Sequence, residues 1–414
     1  MATGTDMHVL ILSQYYDPEP IRKPIELADE LNHLGHQVSV VTGFPNYPSG
    51  KLYPGYKLKF MQTSPENGID ITRTYEYPYH GKSALGRIFN YLSFMMTAPF
   101  ALTRIRDIDV IYVWHPPLTI GIVAWWISFL SGAPFVYDVQ DIWPESVIVS
   151  GLMNSKRLIG IMKLIERFVY KKARSLIVVT KGARRNLINK GVNKEKINIL
   201  PHWTDEEIFM AVTQTKVDQI RKKHNFGSKF VFMFAGNLGT VQGLETILSA
   251  AALLKGTEDV LIVFVGDGSD GPRLKDLVDS LGLDKMVCFI GQQPIEDIPA
   301  YLASADALLV HLKPSPLSDY VIPSKTTAYL ATGKPILMAA DGAARELIEE
   351  IGSGVTTDPG DPEALAQAMR ELLSMKSDII HEMGEKGREY FLTHLTKGAV
   401  IPLYEQLLRD AVGF

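Results

Sequence analysis

The sequence predicts an α/β chain built from two doubly wound parallel-sheet domains in tandem. Three observations predict it. Short continuous apolar runs alternate with helical patterns; the alternation stops over a polar, charged stretch, Thr204–Gly227, and restarts after it; and 414 residues suffice for two or three domains of ordinary size. Strands that are apolar throughout and separated by helices belong to a parallel sheet covered on both faces.

The elements follow in order. The apolar run His8–Ser13 leads into a helical pattern over Pro24–Leu34, in which Ile25, Leu27, Ala28, Leu31 and Leu34 recur at helical spacing until Gly35 stops it. Val38–Thr42 is the next strand, and a Pro/Tyr/Gly-rich segment, Phe44–Tyr56, interrupts the pattern. It resumes as strand Asp70–Tyr75, helix Leu85–Arg104, strand Val110–Val113, helix Thr119–Ser131 and strand Pro134–Tyr137. Helix Ser155–Ala173, strand Ser175–Val179, helix Gly182–Asn189 and strand Ile197–Leu200 complete the first half. The second half reads as strands Val231–Ala235, Leu261–Val265, Val287–Ile290, Ala307–Val310 and Ile336–Ala339. Between and after them lie helices Leu244–Leu254, Pro272–Leu281, Ile295–Ala303, Lys325–Ala331 and Ala344–Ile351. From Asp361 everything is helical, ending in Val400–Val412. The predicted boundaries are a first domain over 7–205, completed by a C-terminal helix 397–414, and a second over 206–396. Ligands of such sheets bind beyond the carboxyl ends of the strands, and two sheets in tandem predict an interdomain cleft.

Composition removes several functions. A formal charge of −4 gives no general case for nucleic-acid binding. The single cysteine, Cys288, excludes an intrachain disulfide framework and a Cys-rich zinc module, and fits a reducing cytosol. Met1–Asp6 is small and polar, which argues against a secretory leader. Two uncharged windows, Ile88–Thr103 and Val110–Tyr137, are broken by Asn90 and prolines or fall short of the roughly 20 apolar residues a spanning helix needs. Charge is nevertheless uneven: Gly151–Leu200 carries a net +11 and the rest of the chain −15. Such a block has a partner or a local task.

The motifs at predicted strand ends carry the chemistry. Gly236, Asn237, Gly239, Gln242 and Gly243 lie between the strand ending at Ala235 and the next helix; a small-residue turn there offers bare backbone N–H groups and a positive helix end to phosphate oxygens. It is not a Walker loop, because no Gly-Lys-Ser/Thr follows. Pro323-Ser324-Lys325-Thr326 opens another helix, with Ser324 expected as its cap, and a lysine in a first helical turn is unfavourable unless an anion is bound. Gly266-Asp-Gly268-Ser-Asp-Gly271 has the dinucleotide-binding glycine spacing, but it follows the second strand of its domain, so a tight strand–helix turn is the better reading. Asp107-Ile-Asp109 resembles a metal-binding pair but precedes its strand, away from the ligand edge; together with dispersed histidines this predicts no metal and no cofactor. On the ligand edge of the first domain, His115 ends one strand, and Asp138-Val-Gln-Asp141-Ile-Trp-Pro-Glu145-Ser146 follows the next. Carboxylates beside a tryptophan suit hydroxyl binding or proton transfer. The helix Ser155–Ala173 sets Leu158, Ile161, Met162, Ile165 and Val169 on one face against six Lys/Arg, and Arg87, Arg104 and Arg106 flank aromatic Ala84–Arg106. These basic, amphipathic surfaces predict docking on anionic lipid, each cation contributing on the order of 1 kcal/mol.

Taken together, the residues resemble the retaining, family-4 type of GT-B glycosyltransferase, and within it the WbuB-like enzymes of bacterial surface-polysaccharide assembly, such as O-antigen or capsule. The resemblance rests on Ser13-Gln-Tyr-Tyr-Asp17-Pro-Glu-Pro20, Gly35-His36-x-Val38, Thr42-Gly-Phe-Pro-Asn-Tyr-Pro48-Ser-Gly50, Asp138–Ser146, Gly236-Asn-Leu-Gly-x-x-Gln242-Gly-Leu244 and Pro323-Ser-Lys325 through Ala331-Thr-Gly-Lys-Pro335. It implies two Rossmann-like domains, the first for the acceptor and the second for a nucleotide sugar, UDP-linked by preference. The C-terminal helix would cross back to the first domain. It further implies metal-independent transfer of a hexose-type sugar, with retained configuration, to a polyprenyl-diphosphate-linked saccharide at the inner face of the plasma membrane. Many relatives carry Arg and Lys where Asn237 and Gln242 stand, and a glutamate pair where Tyr320 and Ala328 stand. The phosphate's charge partner accordingly shifts to Lys325, assisted by Arg22 or Lys23. The expected donor residues are Gly236, Asn237, Gly239, Gln242, Ser324, Lys325, Thr326, Tyr320 and Arg22; His115, Asp141 and Glu145 would face the acceptor or the transferred sugar, and with Lys325 form the catalytic set. The architecture also admits a nucleotide-sugar 2-epimerase or a non-catalytic, membrane-associated binding module.

Overall fold

The computed structural model describes residues 6–81, 83–151, 155–257 and 259–413, and the chain forms two compact units, Met1–Leu200 with Ile401–Phe414, and Pro201–Val400. The reading of Met1–Asp6 as a polar lead-in falls outside the described residues except at Asp6.

In the first unit the strands are β1 (His8–Ser13), β2 (Gln37–Gly43), β3 (Met61–Glu66), β4 (Ile69–Thr74), β5 (Val110–Trp114), β6 (Phe135–Asp138), β7 (Ser175–Val178) and β8 (Ile197–Ile199). They form one sheet in the order β3-β4-β2-β1-β5-β6-β7-β8, parallel except for the β3–β4 hairpin. That hairpin is absent from the apolar pattern because β3 is a polar, half-exposed edge strand. Its turn is Asn67-Gly68, both at positive φ, the chemistry a two-residue hairpin requires. Every residue of β1 and β5 is buried, which is why their sequences read as unbroken apolar runs. From Ile401 the C-terminal helix Lys397–Val412 packs on this unit: Tyr404 and Leu408 are buried, and the His36 ring shares a 3.2 Å hydrogen bond with Glu405.

In the second unit β9 (Phe230–Ala235), β10 (Val260–Val265), β11 (Val287–Gly291), β12 (Ala307–His311), β13 (Ile336–Ala339) and β14 (Gly354–Thr357) pair in the order β11-β10-β9-β12-β13-β14, all parallel. This is the doubly wound order in which the chain reverses direction between its first and fourth strands. The polar, charged stretch Thr204–Gly227, where the sequence alternation stops, is in part a helix of this unit. Gln214–Lys223 buries Val217 and Ile220, and Phe226 follows it into the core. Polarity misled because only two of its ten residues face inward.

Candidate active site

The switch point of the second sheet lies between the carboxyl ends of β9 and β12, where crossovers leave on opposite faces and open a crevice. The turn after β9 begins at Gly236, whose φ of 145° suits only glycine. The N–H of Gly236 donates to Val265 O at 2.9 Å and that of Leu238 to Asp267 O at 2.9 Å, anchoring the turn on the one that follows β10. Among the described residues the N–H groups of Asn237, Gly239, Thr240 and Val241 donate to no acceptor, and Asn237, Thr240 and Val241 are exposed. Helix Glu245–Leu253 starts just beyond, so these donors share the positive end of a helix.

The Gly266–Gly271 pattern explains itself at this junction. A Cβ on Gly266 would lie 2.0 Å from the carbonyl oxygen of Gly236, and one on Gly268 2.5 Å from that of Leu238. The glycines let two backbones pack together, as the tight-turn reading expected, and they support the β9 turn.

Lys325, in helix Ser324–Leu330, meets that turn. Its Nζ donates to Gln242 Oε1 at 2.7 Å and sits 3.8 Å from the centroid of the Phe234 ring; a Cβ on Gly236 would lie 3.3 Å from the same Nζ. Among the described residues no carboxylate pairs with it. Burial without a counter-charge pulls its pKa down to about 7. Tyr329, one turn on, locks the two segments by accepting from Ala235 N–H at 2.7 Å and donating to Ala235 O at 3.1 Å. Thr326 is buried with its Oγ1 unpartnered among the described residues. Ser324 is exposed and is the first helical residue rather than the cap. Pro323 holds the cap position and no side chain caps the helix, because the extended Pro323 backbone already sets the entry. Tyr320 ends a 3-10 turn, Ser318–Tyr320, and is half-exposed.

Three residues not foreseen complete this site: Phe234, His311 and Lys313. His311 is buried at the end of β12; its Nε2 accepts from Gly360 N–H at 3.2 Å, so Nδ1 carries the proton and donates to Gln242 O at 2.6 Å. Lys313 pairs with Glu245 at 2.9 Å, Arg273 with Glu245 at 3.0 Å and with Asp270 at 2.6 Å. The signal for His311 was legible, a histidine closing an otherwise apolar strand at the ligand edge.

In the first unit, His115 follows β5 and is 1% exposed. Neither ring nitrogen has a hydrogen-bond partner among the described residues, the ring lies against Tyr137 and Trp143, and burial lowers its pKa to about 3, so the imidazole is neutral. Asp138, ending β6, accepts from Tyr112 Oη–H and Gln140 Nε2–H at 2.6 Å each, and burial raises its pKa to about 7. Asp141 is half-exposed with its pKa raised by desolvation. Glu145 pairs with Lys190 at 2.9 Å, and the same ammonium holds buried Glu166 at 2.7 Å. Arg22 is 75% exposed and pairs with Glu26 at 3.1 Å at the start of helix Lys23–His33, where Lys23 also pairs with Glu26.

A second buried polar group in this unit was missed. Glu76 is fully buried, accepts from Gln14 Nε2 at 2.7 Å and from Asn46 Nδ2, and its pKa is raised well above the usual carboxylate range by burial. Glu19 accepts from the N–H groups of Asn46 and Tyr47 at 2.7 Å each. These side chains hold the loops after β1, β2 and β4 together. The Asp107/Asp109 pair is structural: Asp109 accepts from His8 N–H at 2.7 Å at the amino end of β1.

The two doubly wound units have the architecture called GT-B, and the second carries open amides and a lysine at its switch point. The family described as "Glycosyl transferases group 1" matches residues 216–390, and the "Glycosyl transferase 4-like domain" family matches residues 25–203. The chain belongs to the glycosyltransferases of GT-B, family-4 type. WcaI of Escherichia coli strain K12, named as a glycosyl transferase of colanic acid biosynthesis, is 27% identical over 98% of this chain and all of its own length. WbjE of Pseudomonas aeruginosa, named as a glycosyltransferase, is 26% identical over 83% of this chain and 86% of its own. Among solved structures, Anabaena HepE in complex with UDP superposes with a TM-score of 0.72 at 16% identity, covering 98% of this chain and 100% of that one. Sucrose-phosphate synthase of Thermosynechococcus elongatus gives 0.73 at 17% identity, covering 98% of each chain.

Proposed function

We propose that the protein transfers a hexose-type sugar from a nucleotide diphosphate, with UDP the favoured carrier, to a polyprenyl-diphosphate-linked saccharide, retaining anomeric configuration and needing no metal. The observation that carries the donor half is the meeting of the open amides of Asn237, Gly239, Thr240 and Val241 with a Lys325 ammonium that has no carboxylate partner among the described residues: fixed N–H donors and one cation are what a departing diphosphate requires as its C–O bond loosens toward an oxocarbenium-like state. Phosphate departure leaves an oxygen able to take the acceptor's proton on the same face, which gives retention. The UDP complexes of HepE and the colanic-acid name of WcaI support a UDP donor and a surface polysaccharide. His115, a buried neutral imidazole with both nitrogens unmet among the described residues, favours a hydroxyl partner at that strand end.

The lipid-linked acceptor is supported by the outer surface of the first unit. Among the described residues no helix is long and apolar enough to cross a membrane. Helix Ile120–Ser131 packs against both Ala84–Thr97 and Lys156–Lys172, and together they expose Phe89 (62%), Phe129 (74%) and Leu164 (66%). Leu158 and Ile161 face outward too, contrary to the single buried face expected for Lys156–Lys172, where Met162 and Val169 point inward. Exposed apolar groups flanked by Lys156, Arg157, Lys163 and Arg167 suit the surface of an anionic membrane.

The test is UDP release from a panel of UDP-sugars, with and without polyprenyl-diphosphate-linked saccharide in vesicles, with product configuration read by NMR. Acceptor-dependent release and a retained anomer are expected. Release without acceptor, or inversion, contradicts the proposal.

A further inference from the structure

The Lys325 ammonium rests on an aromatic face and an amide oxygen where an ion pair would be expected. Phe234 is fully buried in β9, and a leucine could fill its place in the core; what the ring adds is a π face 3.8 Å from Nζ. Gln242 Oε1 takes one ammonium proton at 2.7 Å. On the segments bordering this site, Glu245 pairs with Lys313 and Arg273, Asp270 pairs with Arg273, and Asp267 Oδ1 accepts from Gly268 N–H at 2.7 Å. His311 is neutral, held between Gln242 O and Gly360 N–H.

We propose that Phe234 is a positioning residue of the donor site: its ring, with the Gln242 amide oxygen, holds the Lys325 amine over the Gly236 turn before the donor arrives, and diphosphate binding is completed by a proton taken from solvent onto that amine. The inference rests on the donor-site reading above. The step is a protonation of the neutral amine to the ammonium, the proton coming from buffer; no bond in the donor breaks. It follows because an amine whose pKa lies near 7 in the free protein is largely neutral at pH 8, whereas two phosphate charges beside it favour the charged form.

The experiment is calorimetric titration with UDP at pH 8, where UDP itself is fully ionised, in buffers of different ionisation enthalpy. The wild-type chain is expected to take up between about half and one proton per UDP, and Lys325→Ala none. Phe234→Leu and Phe234→Met remove the π face at similar volume. They are expected to shift the alkaline loss of affinity down by about half to one pH unit, weakening UDP about three- to tenfold at pH 8 while leaving pH 6 affinity within about twofold. A merely structural role would lower thermal stability without moving the pH profile. No proton uptake by the wild type, or an unshifted profile in folded Phe234 variants, overturns the inference while leaving the donor site standing; should neither variant fold, the wild-type uptake decides. If wild type fails to bind UDP, or Lys325→Ala binds it equally well at pH 6, the donor-site reading falls and this inference with it.

Discussion

Lys325→Ala removes the ammonium that lies over the Gly236 turn, and the size of its effect depends on pH. A charge-assisted hydrogen bond to phosphate contributes about 1.5–3 kcal/mol, so with one order of magnitude per 1.4 kcal/mol the variant should bind UDP about 10- to 150-fold more weakly when the lysine is charged. With a pKa of about 7, the free protein's amine is about nine-tenths charged at pH 6 and about one-tenth charged at pH 8. Wild-type affinity therefore falls roughly tenfold between these values, and the gap between the two proteins narrows to about 1- to 15-fold. UDP's own titration is common to both and cancels in the ratio. Stability should change little: the alanine removes an ammonium that burial disfavours, while the half-exposed Gln242 oxygen turns to water. Titration calorimetry at both pH values measures the ratio, and a thermal scan checks the fold. A gap under threefold at pH 6, or one that widens at pH 8, refutes the reasoning.

Three further outcomes follow from the same geometry. Gly266→Ala forces a Cβ onto the Gly236 carbonyl from a φ of 131°, so UDP-dependent thermal stabilisation should disappear and the melting temperature fall; unchanged stabilisation would show the turn is not anchored there. Asp138 has a folded pKa of about 7, above its unfolded value, so its protonated form is favoured by folding and the stability it lends at low pH is lost as pH rises through about 7. Asp138→Asn should flatten that decline, by at most about 4 kcal/mol, and a stability difference independent of pH between 4 and 8 counts against it. Lys190→Met leaves Glu166, 2% exposed, without its cation, and should destabilise the first unit by roughly 3 kcal/mol; denaturant unfolding reads it, and a change within 0.5 kcal/mol, an order-of-magnitude bound, contradicts the buried pairing.

Most of the fold was legible because parallel strands buried on both faces write unbroken apolar runs, as β1, β5, β9 and β10 do. Strand β3 was not, since an edge strand with one partner can be polar, although Asn67-Gly68 marked its turn. Helix Gln214–Lys223 hid behind its eight outward-facing residues. At the site, Gly236, Gln242 and Lys325 were named from sequence and are brought together; what sequence could not show was how. Phe234 lies within the apolar strand Val231–Ala235, and nothing in that run shows the approach of Lys325 Nζ to its face. Glu145 shows what a motif leaves out: its carboxylate pairs with Lys190, forty-five residues away along the chain. The Glu76 cluster joins loops from three strands, a juxtaposition that topology alone creates.

The central claim is that a donor diphosphate is gripped by the main chain after β9 and by Lys325. A crystal structure with UDP bound tests it most directly. The account predicts phosphate oxygens within about 3.5 Å of Lys325 Nζ and of at least one N–H among residues 237–241, with Nζ withdrawn from Gln242; a diphosphate seated on other residues, with the Lys325–Gln242 bond intact, would contradict it.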